Sequence, residues 1–171
     1  MNDLERLICD VPDFPAAGIL FRDITPLLLD PEALRGVVER LAEPFRGAGI
    51  QKVAAIESRG FIFGAPLALE LGCGFVPVRK LGKLPRPTAS REYALEYGKN
   101  HLEMHIDAIQ PRERVLVVDD VLATGGTARA TVEIVEELGG DVAAVAFLIE
   151  IGGLNGRATL ADREVLSLIR Y

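Results

Sequence analysis

Apolar residues recur along this chain in two different periods. Leu34, Val37, Val38, Leu41 and Phe45 fall at helical spacing behind Asp30-Pro31-Glu32. That tripeptide supplies a capping carboxylate, a proline for the first turn and an acid near the positive helix end, and Gly47 and Gly49 close the helix. The pattern then changes to short unbroken apolar runs. Val53 to Ile56 predicts a buried strand, Phe61 to Leu71 a helix ended by Gly72, and Phe75 to Val78 another strand. Val115 to Val118 is the clearest strand. Thr127 to Leu138 reads as a helix with Ala130, Ile134, Val135 and Leu138 facing inward, and Val142 to Ile149 and Val165 to Ile169 are the last strands. Buried strands alternating with helices imply an α/β fold with a mostly parallel central sheet flanked by helices on both faces.

Three stretches depart from this rhythm. Residues 3–9 predict a short helix carrying Leu4, Leu7 and Ile8 on one face. Residues 10–25 contain Pro12, Pro15 and Gly18 and read as irregular or extended chain, a small hood over one end of the sheet. Residues 79–92 read as loop. Tyr93 to Tyr97 and Leu102 to Ile106 alternate about Gly98-Lys99-Asn100, which predicts a β-hairpin flap. A flexible loop is expected over about 81–97. Ligands of open α/β sheets sit at the carboxyl ends of strands, so the segments after Ile56, Val78 and Val118 are the first candidates for a site.

Composition narrows the class. The 171 residues are 49% hydrophobic and 26% charged, enough for one domain with a real core and too apolar for disorder. The longest apolar run, Val142 to Ile149, is far short of a membrane span, and Asp3, Glu5 and Arg6 break any signal-peptide pattern. The net charge of −6 argues against a nucleic-acid partner. Cys9 and Cys73 show no metal or redox spacing, which suits a thiol-reduced, cytoplasmic protein.

The chemistry concentrates after the clearest strand. Asp119-Asp120-Val121-Leu122-Ala123-Thr124-Gly125-Gly126-Thr127 runs from a strand end through a small-residue loop into a helix. Glycines let backbone N–H groups approach an anion, and the helix start adds further N–H groups and a positive dipole end. This suits a monophosphate. No lysine follows the glycines as in a Walker loop, and the dinucleotide spacing is absent. Asp119 and Asp120 are placed to accept hydrogen bonds from a sugar's vicinal hydroxyls. A Gly-Gly pair alone would be an ordinary turn; the whole strand-acid-loop-helix order is what carries the reading. Glu57-Ser58-Arg59-Gly60 makes a second turn of this kind, with a guanidinium beside it. Arg79, Lys80, Lys83, Arg86 and Arg91 put five cations in thirteen residues with no acid among them. That run suits a polyanionic substrate, although such runs are often just solvated.

These residues resemble the phosphoribosyl-diphosphate signature of the type I phosphoribosyltransferases. Asp13-Phe14-Pro15, Gly18 to Ile24, Glu57 to Phe61, Arg79-Lys80, Gly82 to Pro85 and Leu95 to Gly98 narrow the resemblance to the adenine-specific members. Arg86 and Val121 depart from the usual residues without touching a motif. The resemblance implies transfer of a phosphoribosyl group to adenine, giving AMP and diphosphate, with Mg²⁺ held mainly by substrate and water rather than by protein ligands. It implies phosphoribosyl-diphosphate binding by Asp119, Asp120, Ala123, Thr124, Gly125, Gly126 and Thr127. It extends that role to Glu57, Ser58, Arg59, Arg79, Lys80 and Lys83, with a cis peptide between Ser58 and Arg59. It places adenine on Leu20, Phe21 and Arg22, with Glu96 over the base as a catalytic acid–base group beside Asp119 and Asp120. It further implies a homodimer in which Arg79 serves the neighbouring site. His101 and His105 read as hairpin surface residues. Two rival readings are a non-catalytic phosphoribosyl-diphosphate sensor, for which no DNA-binding module remains, and a transferase acting on xanthine, hypoxanthine or guanine.

Overall fold

A computed structural model of the chain describes residues 3–94 and 99–171. A 3-10 turn over Asp3–Leu7 buries Leu4. Strands β1 (Cys9–Pro12) and β2 (Leu20–Asp23) then pair antiparallel as a separate two-stranded ribbon. The expected helix through residue 9 is therefore shorter, and the expected irregular stretch holds two strands. Pro15 and Gly18 fall in their connection, where they interrupt no ladder. Helix α1 (Thr25–Leu29) is an addition to the sequence reading. Asp23 caps it by accepting from the N–H and hydroxyl of Thr25, at 2.9 and 2.7 Å.

Helix α2 (Pro31–Ala42) starts as the sequence indicates: Asp30 Oδ1 accepts from the N–H groups of Glu32 and Ala33, at 2.9 and 3.0 Å. Strand β3 (Lys52–Ile56), helix α3 (Gly60–Leu71) and strand β4 (Gly74–Lys80) form one crossover unit. Strands β5 (Thr88–Ala94) and β6 (Lys99–His105) follow, then β7 (Arg114–Leu122), helix α4 (Gly126–Glu137), β8 (Asp141–Glu150), the short helix α5 (Gly156–Thr159) and β9 (Val165–Arg170).

Among the described residues the main sheet has seven strands in the order β5-β6-β4-β3-β7-β8-β9. The five from β4 to β9 are parallel, while β6 joins β4 and β5 joins β6 antiparallel. The hairpin expected as a separate flap is thus rooted in the sheet, with Arg79 opposite Glu103 and Lys80 opposite Leu102. The stretch expected as loop, 79–92, reduces to residues 81–87. Glu103, buried on β6, accepts from the N–H groups of Lys83 and Leu84 at 2.9 and 2.8 Å and ties that turn to the sheet. Strand β5 escapes sequence reading because an edge strand need not alternate cleanly: Ser90, Arg91 and Glu92 interrupt its apolar positions.

The sheet has a core on each face. Val37, Leu41, Phe63 and Leu67 of α2 and α3 pack with Val53, Ala55, Leu116 and Val118 on one side. Ala130, Ile134 and Val135 of α4 pack with Ala54, Val76, Val117 and Val145 on the other. This alternation along each strand explains why β3 and β7 read as unbroken apolar runs. From β3 the chain crosses to β4 on one side; from β7 it crosses to β8 on the other. The crevice where connections diverge lies at the carboxyl ends of β3 and β7. Among the described residues no helix is long and apolar enough to cross a membrane.

The α2 cap is directly testable. Asp30→Ala removes both side-chain hydrogen bonds to Oδ1 and should lower stability by about 1 kcal/mol, whereas Asp30→Asn should keep most of it. Equal melting temperatures for the alanine and wild-type proteins would contradict this account of where α2 begins.

Candidate active site

Asp119 and Asp120 lie inside β7, not beyond it, because the strand continues to Leu122 against β8. The N–H of Asp120 donates to Asp119 Oδ1 at 2.9 Å. Helix α3 begins directly over this pair. A Cβ added to Gly60 would lie 2.9 Å from Asp119 Oδ1 and 3.2 Å from Asp119 Cα, so only glycine allows the approach. Burial pushes the Asp119 carboxyl well above its ordinary value, and the neighbouring Asp120 charge adds to the shift. Asp120 is buried and forms an ion pair with Arg59 Nε. The Arg59 guanidinium also lies 5.4 Å from the centre of the Phe21 ring.

The turn between β3 and α3 holds a cis peptide at Glu57–Ser58, one bond earlier than the resemblance places it. The hydrogen bonds account for the position. Glu57 N–H still belongs to the sheet, donating to the Val78 carbonyl at 2.9 Å, while the Ser58 and Arg59 carbonyls already accept from Phe61 and Ile62 of α3. The chain therefore changes direction between Glu57 and Ser58. The Glu57 carboxylate turns to Arg79 Nε at 2.6 Å and the Lys80 N–H at 3.1 Å. Burial pushes that carboxyl up, but those two donors and the charges of Arg79 and Lys80 outweigh it and hold it below the ordinary glutamate value.

After β7 the chain turns at Gly125, which takes a left-handed conformation (φ 84°) and caps α4. Thr124, Gly125, Ala123 and Thr127 line a small hollow of about 50 Å³. Ala123, Thr127 and Asp119 also line a larger cavity of about 880 Å³, so hollow and cavity are adjacent. Ser58, Arg59, Lys80, Asp120 and Glu57 line the large cavity on one side, and Leu20, Phe21 and Arg22 of β2 on the other. Phe21 meets Phe14 edge-on at 5.2 Å. The Arg22 side chain is turned away, paired with Asp10 and stacked 3.7 Å over the Tyr171 ring.

Not every residue singled out from the sequence faces this space. Arg79 and Lys83 line neither cavity. Arg79 is held by Glu57 and by the Lys83 carbonyl at 3.2 Å. Gly126 lines neither as well, although it lies within the loop. Glu96 falls outside the described residues. Arg86 pairs with Asp107, and Arg91 pairs with Glu137 at 2.8 Å, so those two cations of the basic run face carboxylates from other elements. His101 faces Glu92 at 3.6 Å, and neither it nor His105 lines a cavity.

Other residues reach the cavity without having been singled out. Tyr93 of β5 lines it, and burial raises its phenol. The alternation of the hairpin was the available signal for Tyr93. Tyr171, Ile151 and Leu154 close the far wall, where the chain carries no motif.

Comparison with known proteins agrees with this geometry. The phosphoribosyl transferase domain family matches residues 28–166. The adenine phosphoribosyltransferase of Carboxydothermus hydrogenoformans is 59% identical, covering 99% of each chain, and that of Methylococcus capsulatus is 57% identical over the full length of both. Among solved structures, the adenine phosphoribosyltransferase of Thermoanaerobacter pseudethanolicus superposes with a TM-score of 0.95 at 50% identity, covering 98% of each chain. The Saccharomyces cerevisiae enzyme, solved with adenine and an imino-altritol bisphosphate, superposes with a TM-score of 0.92 at 40% identity, covering 96% of each chain.

Asp119 yields a prediction with a defined sign. A raised carboxyl pKa means that the folded chain holds its proton more tightly than the unfolded chain. Stability therefore falls as pH rises from the ordinary aspartate range through the raised value, and ionised Asp119 is a cost at neutral pH. Asp119→Asn should melt higher than the wild type at pH 7, with the advantage shrinking as pH is lowered toward the carboxylate range. A variant that melts at or below the wild-type temperature at pH 7 contradicts the assignment.

Proposed function

The chain belongs to the phosphoribosyltransferase family, among its adenine-specific members, and on that premise we infer that it moves the 5-phosphoribosyl group of phosphoribosyl diphosphate onto adenine, releasing diphosphate and giving AMP for purine salvage. The observation that carries the reading is the adjacency of the two cavities. The loop hollow and the large cavity share Asp119, Ala123 and Thr127, and the large cavity also holds Asp120, Arg59 and Phe21. A 5′-phosphate on the backbone of Ala123 to Thr127 puts the ribose hydroxyls on Asp119 and Asp120 and the diphosphate at Ser58, Arg59 and Lys80.

Cleavage of the C1–O bond leaves positive charge on the ribose and negative charge on diphosphate. The carboxylates of Asp119 and Asp120 stabilise the first, while Arg59, Lys80 and the N–H groups of the Ser58 turn stabilise the second. Until substrate arrives, Arg59 and Asp120 neutralise each other. Substrate separates them, Asp120 taking a ribose hydroxyl and Arg59 the leaving group. Glu96 assists proton movement at the base.

Mg²⁺ belongs to the same reading. Such a cation keeps much of its shell as water and phosphate oxygen and needs only one or two protein carboxylates. Diphosphate and ribose oxygens with water would supply most of that shell here, as the resemblance implies, beside the carboxylates of Asp119 and Asp120. Bound there, it would neutralise diphosphate charge. We read residues 1–171 as one catalytic domain, since the site draws on segments from β2 to Tyr171, and place it in the cytoplasm, where its two free cysteines stay reduced.

Base choice follows from the hood ribbon. Pro12 has no N–H, so its pair with Leu20 is of the kind that exchanges no hydrogen bonds, and alternation gives Asp10–Arg22 the same character. The peptide groups of Leu20 and Arg22 are thereby aimed away from β1. The Leu20 carbonyl accepts from adenine's 6-amino group, the Arg22 N–H donates to N1, and Phe21 packs on the base face. Hypoxanthine reverses both polarities. Two mismatches of roughly 1–3 kcal/mol each predict about 10²–10⁴-fold discrimination. Assays with adenine, hypoxanthine, guanine and xanthine, each with phosphoribosyl diphosphate and Mg²⁺, test the reading. Adenine alone should turn over well, and turnover that survives chelation of divalent ions would remove the metal's role. Comparable rates with hypoxanthine would overturn the backbone account, and binding without turnover would favour a sensor.

The homodimer rests on a separate observation. Ile62, Ala65 and Leu69 form an exposed apolar stripe on α3, with Leu69 83% exposed. A second copy of the chain is the occupant that would bury it. Arg79, which lines neither cavity of its own chain, then serves the partner's diphosphate. Arg79→Ala subunits mixed with Asp119→Asn/Asp120→Asn subunits should regain activity in heterodimers; heterodimers that form but stay inactive would assign Arg79 to its own subunit.

A further inference from the structure

Helix α5 takes no part in the chemistry above, yet it meets the back of the phosphate loop at close range. A Cβ on Gly125 would lie 2.7 Å from the Gly156 carbonyl oxygen and 2.9 Å from Thr159 Cβ. A Cβ on Gly156 would lie 2.3 Å from the Ala123 carbonyl oxygen. The Thr159 hydroxyl donates to the Thr124 carbonyl at 2.9 Å. Helix α5 is itself anchored through Arg157. Its Nε lies 2.9 Å from both oxygens of the buried Glu150, and its other nitrogens donate to the Val165 carbonyl and Ser167 hydroxyl, each at 3.1 Å.

The consequence concerns one peptide plane. The carbonyl of Thr124 and the N–H of Gly125 point in opposite directions. With the carbonyl held toward Thr159, the N–H is directed to the other side of the peptide, away from α5, and both residues line the phosphate hollow. Glycine at φ 84° tolerates either orientation of the preceding peptide, as turns that differ only by such a flip demonstrate. A flipped plane would present an oxygen lone pair to an anion. The glycine needed for close approach therefore leaves the peptide's direction open, and another group must choose it.

We propose that Thr159 is a positioning residue that sets the direction of the Thr124–Gly125 peptide and thereby the affinity of the loop for a sugar 5′-phosphate. This rests on the reading of residues 123–127 as the 5′-phosphate site. Thr159 contacts no substrate; it acts through the Thr124 carbonyl.

Thr159→Val keeps shape and removes the donor, and Thr159→Ser restores it. In the valine variant, KM for phosphoribosyl diphosphate and the calorimetric Kd for ribose 5-phosphate should both rise about threefold to tenfold, the worth of one hydrogen bond. Turnover number and KM for adenine should stay at wild-type values, and serine should return both phosphate-dependent constants to normal. A valine variant with unchanged ribose 5-phosphate affinity overturns the proposal. So does one in which adenine KM, turnover and melting temperature decline together, because that pattern marks a merely structural role. Should valine prevent folding, Thr159→Ala carries the same test. Wild-type protein that turns over adenine but does not bind ribose 5-phosphate would remove the loop assignment beneath the proposal. Wild-type protein that binds ribose 5-phosphate without turnover would fail the proposed reaction and leave the Thr159 comparison intact.

Discussion

The parallel ladder between β3 and β7 pairs Ala55 with Val118, so β3 runs out at Ile56 beside the Asp119-Asp120 pair while β7 continues to Leu122. The rest of the cavity depends on that juxtaposition. Helix α3 leaves over the top of Asp119, which only Gly60 permits, and α4 leaves on the opposite face behind the Gly125 turn. An acidic pair thus lies between two clusters of backbone N–H groups. A ladder displaced by one residue would put β3's buried faces the wrong way round and would separate Arg59 from Asp120.

Buried carboxylates scaffold the regions around that centre. Glu57 holds Arg79 and the end of β4, Glu103 holds the turn at Lys83 and Leu84, and Glu150 holds Arg157 and Ser167 beneath α5. A buried charge is tolerated only when its oxygens are satisfied, and here the satisfying donors belong to loops that would otherwise be free to wander. Each acid therefore converts an irregular segment into a fixed wall. Asp119 is the contrasting case. Its burial beside Asp120 works against ionisation, and in the proposed reaction that cost places negative charge where the ribose becomes cationic.

The same tertiary pairings change the meaning of the basic run. In the chain, Arg79 to Arg91 carries five cations and no acid. In the fold, Arg79, Arg86 and Arg91 meet Glu57, Asp107 and Glu137. Lys80 is the member of the run that lines the cavity. Charge density along a sequence is a poor guide to charge density in space, since turns and helices elsewhere in the chain bring their own carboxylates.

The sequence alone determined the layered α/β plan, the α2 cap at Asp30 and the glycine turn between β7 and α4, because each rests on short-range physics: periodicity, capping chemistry and the conformational freedom of glycine. Tyr93, Thr159 and the 152–159 segment were not legible, because their importance comes from what they touch across the fold. The cis bond lies at Glu57–Ser58 rather than one residue later, and the rooting of the hairpin in the sheet was decided by long-range strand pairing, β6 with β4. So was the outward aim of the Leu20 and Arg22 peptides, which follows from the partner β1 and its Pro12. Local patterns specify which elements form and where a backbone can approach an anion; which side chains and peptide groups converge on that point depends on strand register, and register is a property of the assembled sheet.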